Sequence, residues 1–116
     1  MLINRTKNSI IAGKKRLLSS MLSKAKGLMF TSSSAVDDKA IVFVFKKEQT
    51  VSLHMFFVFY SIDVIFLDNA MKVIDIKESF KPFAIYIPKK KAQYVVECSA
   101  GTVRKSRTTI GDRIVL

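Results

Sequence analysis

The sequence predicts a mainly β protein, a compact antiparallel β-sandwich or barrel with one short N-terminal α-helix at about residues 16–26. Short apolar runs recur along the chain between polar turns, and one segment alone has clear helical periodicity. The 116 residues are 49% hydrophobic and include nine Phe and three Tyr, which is enough apolar surface for a core. We therefore expect a single domain over residues 1–116.

The N-terminal third contains the first predicted strand and the helix. Ser9–Ala12 forms the strand, and Gly27 stands where a glycine commonly ends a helix. Lys24 and Lys26 lie in the last helical turn, where cations complement the helix dipole. The apolar residues with the i, i+1, i+4, i+5, i+8 spacing of an amphipathic helix are Leu17, Leu18, Met21, Leu22 and Ala25. Polar residues over 31–38 predict an exposed loop.

The rest of the chain is strand-like. Ile41–Phe45 is a continuous apolar run, typical of a strand buried on both faces, and residues 46–49 form a polar turn. Thr50–Phe59 has strand periodicity, with Val51, Leu53, Met55, Phe57 and Phe59 on one face. The turn residues 68–71 predict a hairpin. The remaining strands are predicted at Asp63–Leu67, Lys72–Ile76, Ala84–Ile87, Gln93–Cys98 and after the Gly111–Asp112 turn.

The net charge of +11 is concentrated at the two ends of the chain. Residues 1–30 and 89–116 each hold seven Lys or Arg, whereas the residues between them are nearly neutral. If the two ends meet in space, they form one cationic face for phosphates or anionic lipid headgroups. The alternative is a solvated surface that keeps a Phe-rich protein soluble. The candidate anion-binding residues are Lys14, Lys15, Arg16, Lys89, Lys90, Lys91, Arg104, Lys105 and Arg107.

The sequence leaves the partner open. A nucleic-acid binder would interleave exposed aromatic residues with its basic runs, and only Tyr86 and Tyr94 lie close to one. The nucleic-acid signal is therefore weak, although phosphate contacts without base recognition are compatible with the pattern. A protein partner that contacts exposed parts of Met55–Tyr60 is the third alternative.

Asp63 and His54 are the candidate catalytic residues. Asp63 shares its strand face with Ile65 and Leu67, so we expect it to point inward, where burial would raise its pKa and suit a general base. In the alternative interpretation Asp63 accepts backbone N–H groups at the Tyr60–Ser61 turn. His54 is then an exposed cross-strand neighbour.

Composition excludes several other kinds of site. One His and one Cys cannot build a metal centre of the usual Cys and His type, and we expect neither a metal nor a cofactor. Cys98 is predicted to be a small buried residue. The chain also lacks a phosphate-binding loop, because the Gly13-Lys14-Lys15 segment lacks the second glycine.

Two functional hypotheses result. The first is a small non-enzymatic binding or accessory domain with a cationic face for an anionic or protein partner. The alternative is a small-ligand or hydrolytic site in a sandwich pocket near Asp63 and His54.

The protein is expected to be cytoplasmic and without a membrane span. Residues 1–16 lack the apolar region of a signal peptide. The segment from Val51 to Leu67 is rich in apolar residues, but Asp63 interrupts it and it is shorter than the ~20 residues of a membrane-spanning helix.

Six short motifs in order carry a family resemblance. They are Gly27-Leu28-Met29-Phe30, Phe43-Val44-Phe45, Ile62–Asp68, Ala92–Glu97, Ala100-Gly101 and Gly111-Asp112. The chain resembles domain-of-unknown-function family 192 over about residues 8–116. This resemblance implies a jelly-roll-like, mainly antiparallel β-sandwich with one short helix, and it implies no established activity.

One segment departs from the family pattern. The family has an aromatic-Met-Lys-Asn-Thr sequence followed by Pro-Leu-Asp, whereas this chain has His54-Met55-Phe56-Phe57-Val58 followed by Ser61-Ile62-Asp63. Met55 and Asp63 match, but the Lys, Asn, Thr and Pro positions do not. A family function that needs those polar residues is in doubt here.

Overall fold

The computed structural model describes residues 1–19 and 31–116, and it confirms a mainly β fold. The strands are β1 (Leu2–Asn4), β2 (Ser9–Ala12), β3 (Lys14–Leu18), β4 (Lys39–Gln49), β5 (Leu53–His54), β6 (Ile62–Leu67), β7 (Val73–Phe80), β8 (Ile85–Tyr86), β9 (Ala92–Ser99) and β10 (Ile114–Val115). A 3-10 helix covers Ser33–Val36, and a short α-helix, α1, covers Thr102–Ser106. Within these ranges no helix has the length and apolar character needed to cross a membrane.

The strands form three layers. A central sheet has the order β3-β4-β9-β6-β7, a three-stranded sheet has the order β10-β1-β2, and β5 pairs with β8. All pairs of the described strands are antiparallel except β3 with β4, which is parallel, so the mainly antiparallel fold that the sequence predicted has one parallel edge. The connection from β3 to β4 spans residues 19–38, which is long enough for the crossover that a parallel pair requires.

The central sheet is buried on both faces, because successive residues of a strand point to opposite sides. On β4, Ile41 and Phe43 belong to a core shared with β5 and β8, which we call the β5–β8 core. Ala40 and Val42 belong to a second core shared with β1 and β2, the β1–β2 core. The predicted double burial of this strand is confirmed at Ile41, Val42 and Phe43.

The N-terminal helix prediction is wrong where the structure describes it. Residues 16–18 belong to β3, with Arg16 opposite Ile41 and Leu18 opposite Phe43. Hydrogen bonding to the open edge of β4 outweighs the local helical pattern here. Residues 20–26 of the predicted helix lie outside the described residues, and the described α-helix, α1, is near the C-terminus.

The segment from Lys46 to Phe59 also differs from the prediction. β4 continues through Gln49 with a register shift after Val44, so residues 46–49 are strand and not turn. Only Leu53 and His54 of the predicted Thr50–Phe59 strand pair with another strand. A turn at Met55–Val58 puts Phe57 at φ 58°, which breaks the alternation and leaves Phe57 and Phe59 exposed.

The predicted hairpin is confirmed. β6 and β7 pair antiparallel around the turn at residues 68–71. Asp68 Oδ1 accepts the backbone N–H groups of Ala70 at 2.8 Å and of Lys72 at 3.0 Å. This is the Asp turn chemistry expected from the sequence. β2, β8 and β10 also lie in segments that the sequence predicted to be strands, and β9 extends the predicted Gln93–Cys98 strand by one residue at each end.

Candidate functional site

Asp63 is a buried structural junction. It lies on β6, is 1% exposed, and points to the side of the central sheet that carries Ile65 and Leu67, as predicted. Its Oδ1 accepts the N–H of Ser79 at 3.0 Å. Its Oδ2 accepts the N–H of Gly101 at 3.0 Å and that of Val103 at 2.9 Å. Both carboxylate oxygens are therefore engaged by backbone donors.

These donors differ from the ones that the sequence suggested. The expected turn at Tyr60–Ser61 supplies none of the three bonds to Asp63. Instead, Asp63 satisfies N–H groups at the start of α1, where helices leave donors without intrahelical partners. Gly101 has φ 92°, a left-handed conformation that glycine adopts readily, as the chain enters the helix. Asp63 thereby joins α1 to the central sheet.

His54 is not joined to Asp63. It lies exposed on β5, and its Nδ1 accepts the N–H of Phe56 at 3.2 Å. Its ring stacks on the ring of Phe56 at a centroid distance of 4.7 Å. No hydrogen bond links the two described residues His54 and Asp63, whose contacts involve different parts of the fold.

Glu97 is a buried carboxylate that the sequence analysis did not select. It lies on β9 opposite Ile41 and Val64, and alternation places it on the same side as Val95, toward the β5–β8 core. Within the described chain its Oε1 is buried without a hydrogen-bond partner. Burial raises the pKa of Glu97 to about 7. Its position as the single acidic residue within the predicted strand at residues 93–98 was the sequence feature that could have indicated its burial.

Tyr60 lies within electrostatic reach of Glu97. Burial raises the pKa of Tyr60, its hydrogen bond with Thr31 lowers it, and the negative charge of Glu97 raises it further. The hydroxyl groups of Tyr60 and Thr31 are 2.9 Å apart. Glu97 and Tyr60 are thus titratable groups at the apolar β5–β8 core, against which Tyr86 also packs.

Cys98 is buried, as predicted. It lies on β9, 1% exposed, and its thiol donates to the carbonyl oxygen of Asp63 at 3.5 Å. Burial, with a contribution from the negative charge of Asp63, raises the pKa of Cys98 to about 12. A thiol in this state is a poor nucleophile, because the thiolate is the reactive form.

A polar cleft of about 680 Å³ opens where β9 ends and α1 begins. Lys39 and Lys105 line it together with Asp37 and Asp38, so charges of both signs meet there. Asp38 Oδ1 accepts the N–H of Gly13 at 2.9 Å. Among the described residues, no group of three or more His, Cys, Asp or Glu side chains could hold a metal ion.

Of the predicted anion-binding residues, Lys105 lines this cleft, and others lie on β3 and α1. Lys14 lies opposite Lys39 at the beginning of the β3–β4 pair, and Lys15 and Arg16 follow on β3. Arg104 and Lys105 are on α1, and Lys105 lines the cleft with Lys39. Arg107 follows α1, and its guanidinium donates to the carbonyl oxygen of Lys7 at 2.8 Å.

Lys89, Lys90 and Lys91 form a separate basic surface, which we call the lysine run. All three side chains are exposed and precede Ala92, which lies opposite Gln49 at the far end of β4. Since β4 has 11 residues, this end is roughly 30 Å from Lys39. The two basic ends of the chain therefore do not gather all nine candidate residues in one place.

The sequence is similar to an uncharacterised protein family and to several of its members. The model of DUF192, a family described as "Uncharacterized ACR", matches residues 5–116. A UPF0127 protein of Thermococcus sibiricus is 37% identical over 98% of this chain and 73% of its own length. A UPF0127 protein of Pyrococcus horikoshii is 38% identical over 98% of this chain and 96% of its own length.

Two solved structures share this fold. One is a Sinorhizobium meliloti 1021 protein provisionally designated a transcription regulator, 26% identical, with a TM-score of 0.80 over 87% of this chain and 79% of that one. The other is a protein of unknown function from Novosphingobium aromaticivorans, 20% identical, with a TM-score of 0.80 over 88% of this chain and 74% of that one.

Proposed function

Since this chain belongs to DUF192, a family whose function is uncharacterised, we propose from its own residues that it is a small non-enzymatic binding domain. Its partner is anionic and contacts the lysine run. The observation that supports this proposal is the exposure of three consecutive ammonium groups at Lys89, Lys90 and Lys91. In the described part of the chain, no carboxylate lies within 4 Å of these groups, so their charge is available to a partner.

The surroundings of the lysine run strengthen its positive potential. Residues 79–96 contain no Asp or Glu, and the whole chain carries a net charge of +11. Clustered charge of one sign attracts oppositely charged partners and raises their association rate. Lys presents its charge as a compact ammonium with three donors, which suits phosphate and carboxylate oxygens without fixing one geometry.

The hydrolytic alternative has less support. Asp63 uses both oxygens to accept backbone N–H groups, and His54 is exposed on a different sheet. Cys98 is buried with a raised pKa, so its thiolate is scarce at neutral pH. The residues that would perform catalysis are thus either engaged or separated, whereas the lysine run is accessible.

The experiment is a binding titration with mixed-sequence duplex DNA and with polyphosphate at about 50 and 200 mM salt. The test variant carries Lys89→Gln, Lys90→Gln and Lys91→Gln. We expect its affinity for both polyanions at the lower salt to fall at least tenfold, on the order of the electrostatic contribution of three lysines.

The matched control carries Lys14→Gln, Lys39→Gln and Lys105→Gln, which removes the same charge near the cleft. We expect a change of less than about threefold, because charge acts over little more than a Debye length. Equal losses in the two variants would show a general effect of net charge and refute the role of the lysine run. The absence of wild-type binding at 50 mM salt would refute the proposed function itself.

A further inference from the structure

An exposed apolar surface adjoins the lysine run. It consists of Phe56, Phe59, Phe83, Ile85 and Ile87, each between 41% and 66% exposed, and we call it the apolar patch. We propose that the apolar patch and the lysine run together dock onto an anionic lipid bilayer. This inference rests on the proposed function, since it names the anionic partner of the lysine run. The apolar side chains enter the interface while the ammonium groups contact lipid phosphates.

The segment around β8 separates its two faces residue by residue. Lys81, Phe83, Ile85, Ile87 and Lys89 are all exposed, whereas the residues between them are partly or fully buried. The alternation exposes three large apolar side chains that lie between two exposed lysines in the sequence. Large apolar side chains next to lysines are typical of protein surfaces that lie in the membrane interface.

On the opposite side of the same segment, Tyr86 contacts the core of the protein. The hydroxyl of Tyr86 donates to Asp75 Oδ2 at 2.8 Å, and its ring contacts Phe66 and Phe80 at centroid distances of 5.8 and 6.3 Å. Because the half-buried Tyr86 packs inward, its neighbours Ile85 and Ile87 point outward.

The backbone of the apolar patch is held in an unusual conformation. Phe83 has φ 63°, a left-handed conformation that is uncommon for a large residue. Its N–H donates to the carbonyl oxygen of Met55 at 2.7 Å, and the N–H of Met55 donates to that of Ala84 at 2.8 Å. The ring of Phe83 also meets that of Phe59 edge to face at 5.5 Å. The fold thus maintains a strained backbone that keeps Phe83 at the surface.

The combination of positive charge and exposed apolar side chains favours a lipid surface over other anionic partners. Residues 49–62 and 79–96, which carry the apolar patch and its lysines, contain no acidic residue. A polyanion in solution offers charge but nothing for Phe and Ile to contact, whereas an anionic bilayer supplies both. A protein partner fits less well, because protein interfaces are depleted in Lys, whereas lysines flank this patch.

The test is sedimentation with vesicles of pure phosphatidylcholine and of phosphatidylcholine with 30% phosphatidylglycerol, a fraction of roughly physiological anionic charge. We expect clear binding to the anionic vesicles and little to the neutral ones. Ile85→Ser should weaken vesicle binding roughly tenfold by removing buried apolar surface. Ile87→Ser, outside the β8 strand, should act similarly and guards against a local effect on β8.

Ile110→Ser is the matched control, because Ile110 is 63% exposed and Ile85 is 61% exposed, yet Ile110 lies near the Gly111 turn. It should bind vesicles like the wild type. The duplex DNA and polyphosphate titrations separate this inference from the proposed function, since Ile85→Ser should leave them unchanged.

Three outcomes would overturn the membrane inference. Equal binding to neutral and anionic vesicles would remove the role of the lysine run in lipid contact. Polyanion binding without vesicle binding would leave the proposed function standing and refute the bilayer as partner. A dimer in sedimentation velocity that Ile85→Ser abolishes, with no vesicle binding, would assign the apolar patch to a second copy of the chain.

Discussion

The carboxylate of Asp63 accepts the backbone N–H of Val103 at 2.9 Å, which links residues that are forty positions apart. Its other oxygen accepts the N–H of Ser79 on β7, so one side chain joins β6, β7 and α1. The carboxylate of Asp63 is buried without an ion pair, and hydrogen bonds from backbone donors offset the cost of that burial. The role of Asp63 that the geometry supports is structural.

Replacement of Asp63 by Asn should destabilise the protein. Asn has one acceptor oxygen, and its amide group would face the N–H donors that Asp63 satisfies. We expect the free energy of unfolding to fall by about 3 kcal/mol and the Tm by on the order of 10 °C, measured by circular dichroism. Asp37→Asn, at an exposed position, should leave the Tm unchanged. An unchanged Tm in Asp63→Asn would contradict the structural role.

Asp112 should make the protein sensitive to acid. Burial alone would raise its pKa, but hydrogen bonds from Asn4, Lys7 and Thr109 and the charge of Lys7 lower it to about 2. The ammonium of Lys7 lies 2.8 Å from Asp112 Oδ2. Because the folded pKa is below the unfolded value of 3.8, the stabilisation is complete above about pH 4 and is lost as the pH falls toward 2.

The measurement is urea unfolding of the wild type and Asp112→Asn at pH 5, 3 and 2. Asp112→Asn should be less stable at pH 5 by about 2 kcal/mol, and the difference should narrow at pH 2. A difference that stays constant with pH would mean that the charge of Asp112 contributes nothing to stability.

Glu97 should give the opposite pH dependence. Its folded pKa of about 7 is above the ordinary value of 4.5, so the folded protein keeps a proton that the unfolded chain releases. Stability from this group is therefore complete below about pH 4.5 and is lost as the pH rises through 7, by roughly 3 kcal/mol in total. Glu97→Gln should remove this contribution to the loss of stability at rising pH.

The comparison requires unfolding free energies at pH 4.5 and 8 for the wild type, Glu97→Gln and Glu78→Gln. Glu78 is exposed, so its variant should follow the wild type across the range. If Glu97→Gln loses as much stability between these pH values as the wild type does, Glu97 is not a buried carboxyl with a raised pKa.

Cys98 should be unreactive in the folded protein. It is the single Cys of the chain and is buried with a pKa of about 12, so neither access nor thiolate favours reaction. We expect an aromatic disulfide reagent at pH 8 to modify the folded protein at least about 100-fold more slowly than the chain in urea. Comparable rates in the two states would show an accessible thiol, and Cys98→Ser supplies the background rate.

The local patterns of the sequence predicted the elements whose cause is local. The β6–β7 hairpin follows from Asp68, whose side chain closes its own turn through backbone bonds within four residues. The strand at Ser9–Ala12 was predicted with its observed bounds. The same approach failed at residues 16–18, because the helical spacing of Leu17 and Leu18 carries no information about the neighbouring edge of β4.

In the candidate site, too, the sequence predicted what depends on local pattern and missed what depends on distant contacts. The sequence indicated that Asp63 points inward, since this follows from its parity with Ile65 and Leu67. Its three donors could not be predicted, because they come from β7 and from the residues around the start of α1. Glu97 was overlooked because its burial depends on strands paired on both sides of β9.

By itself, the sequence determined the β class, the basic charge and the strong apolar character of this protein, because composition and turn chemistry do not depend on distant contacts. The tertiary structure decided where the basic and apolar residues lie relative to one another. The pairing of β4 with β3 and β9 puts Lys14 and the lysine run at opposite ends of one strand. The anchoring of Tyr86 turns Ile85 and Ile87 outward beside that run, since side-chain direction is set by what the neighbouring residues bury.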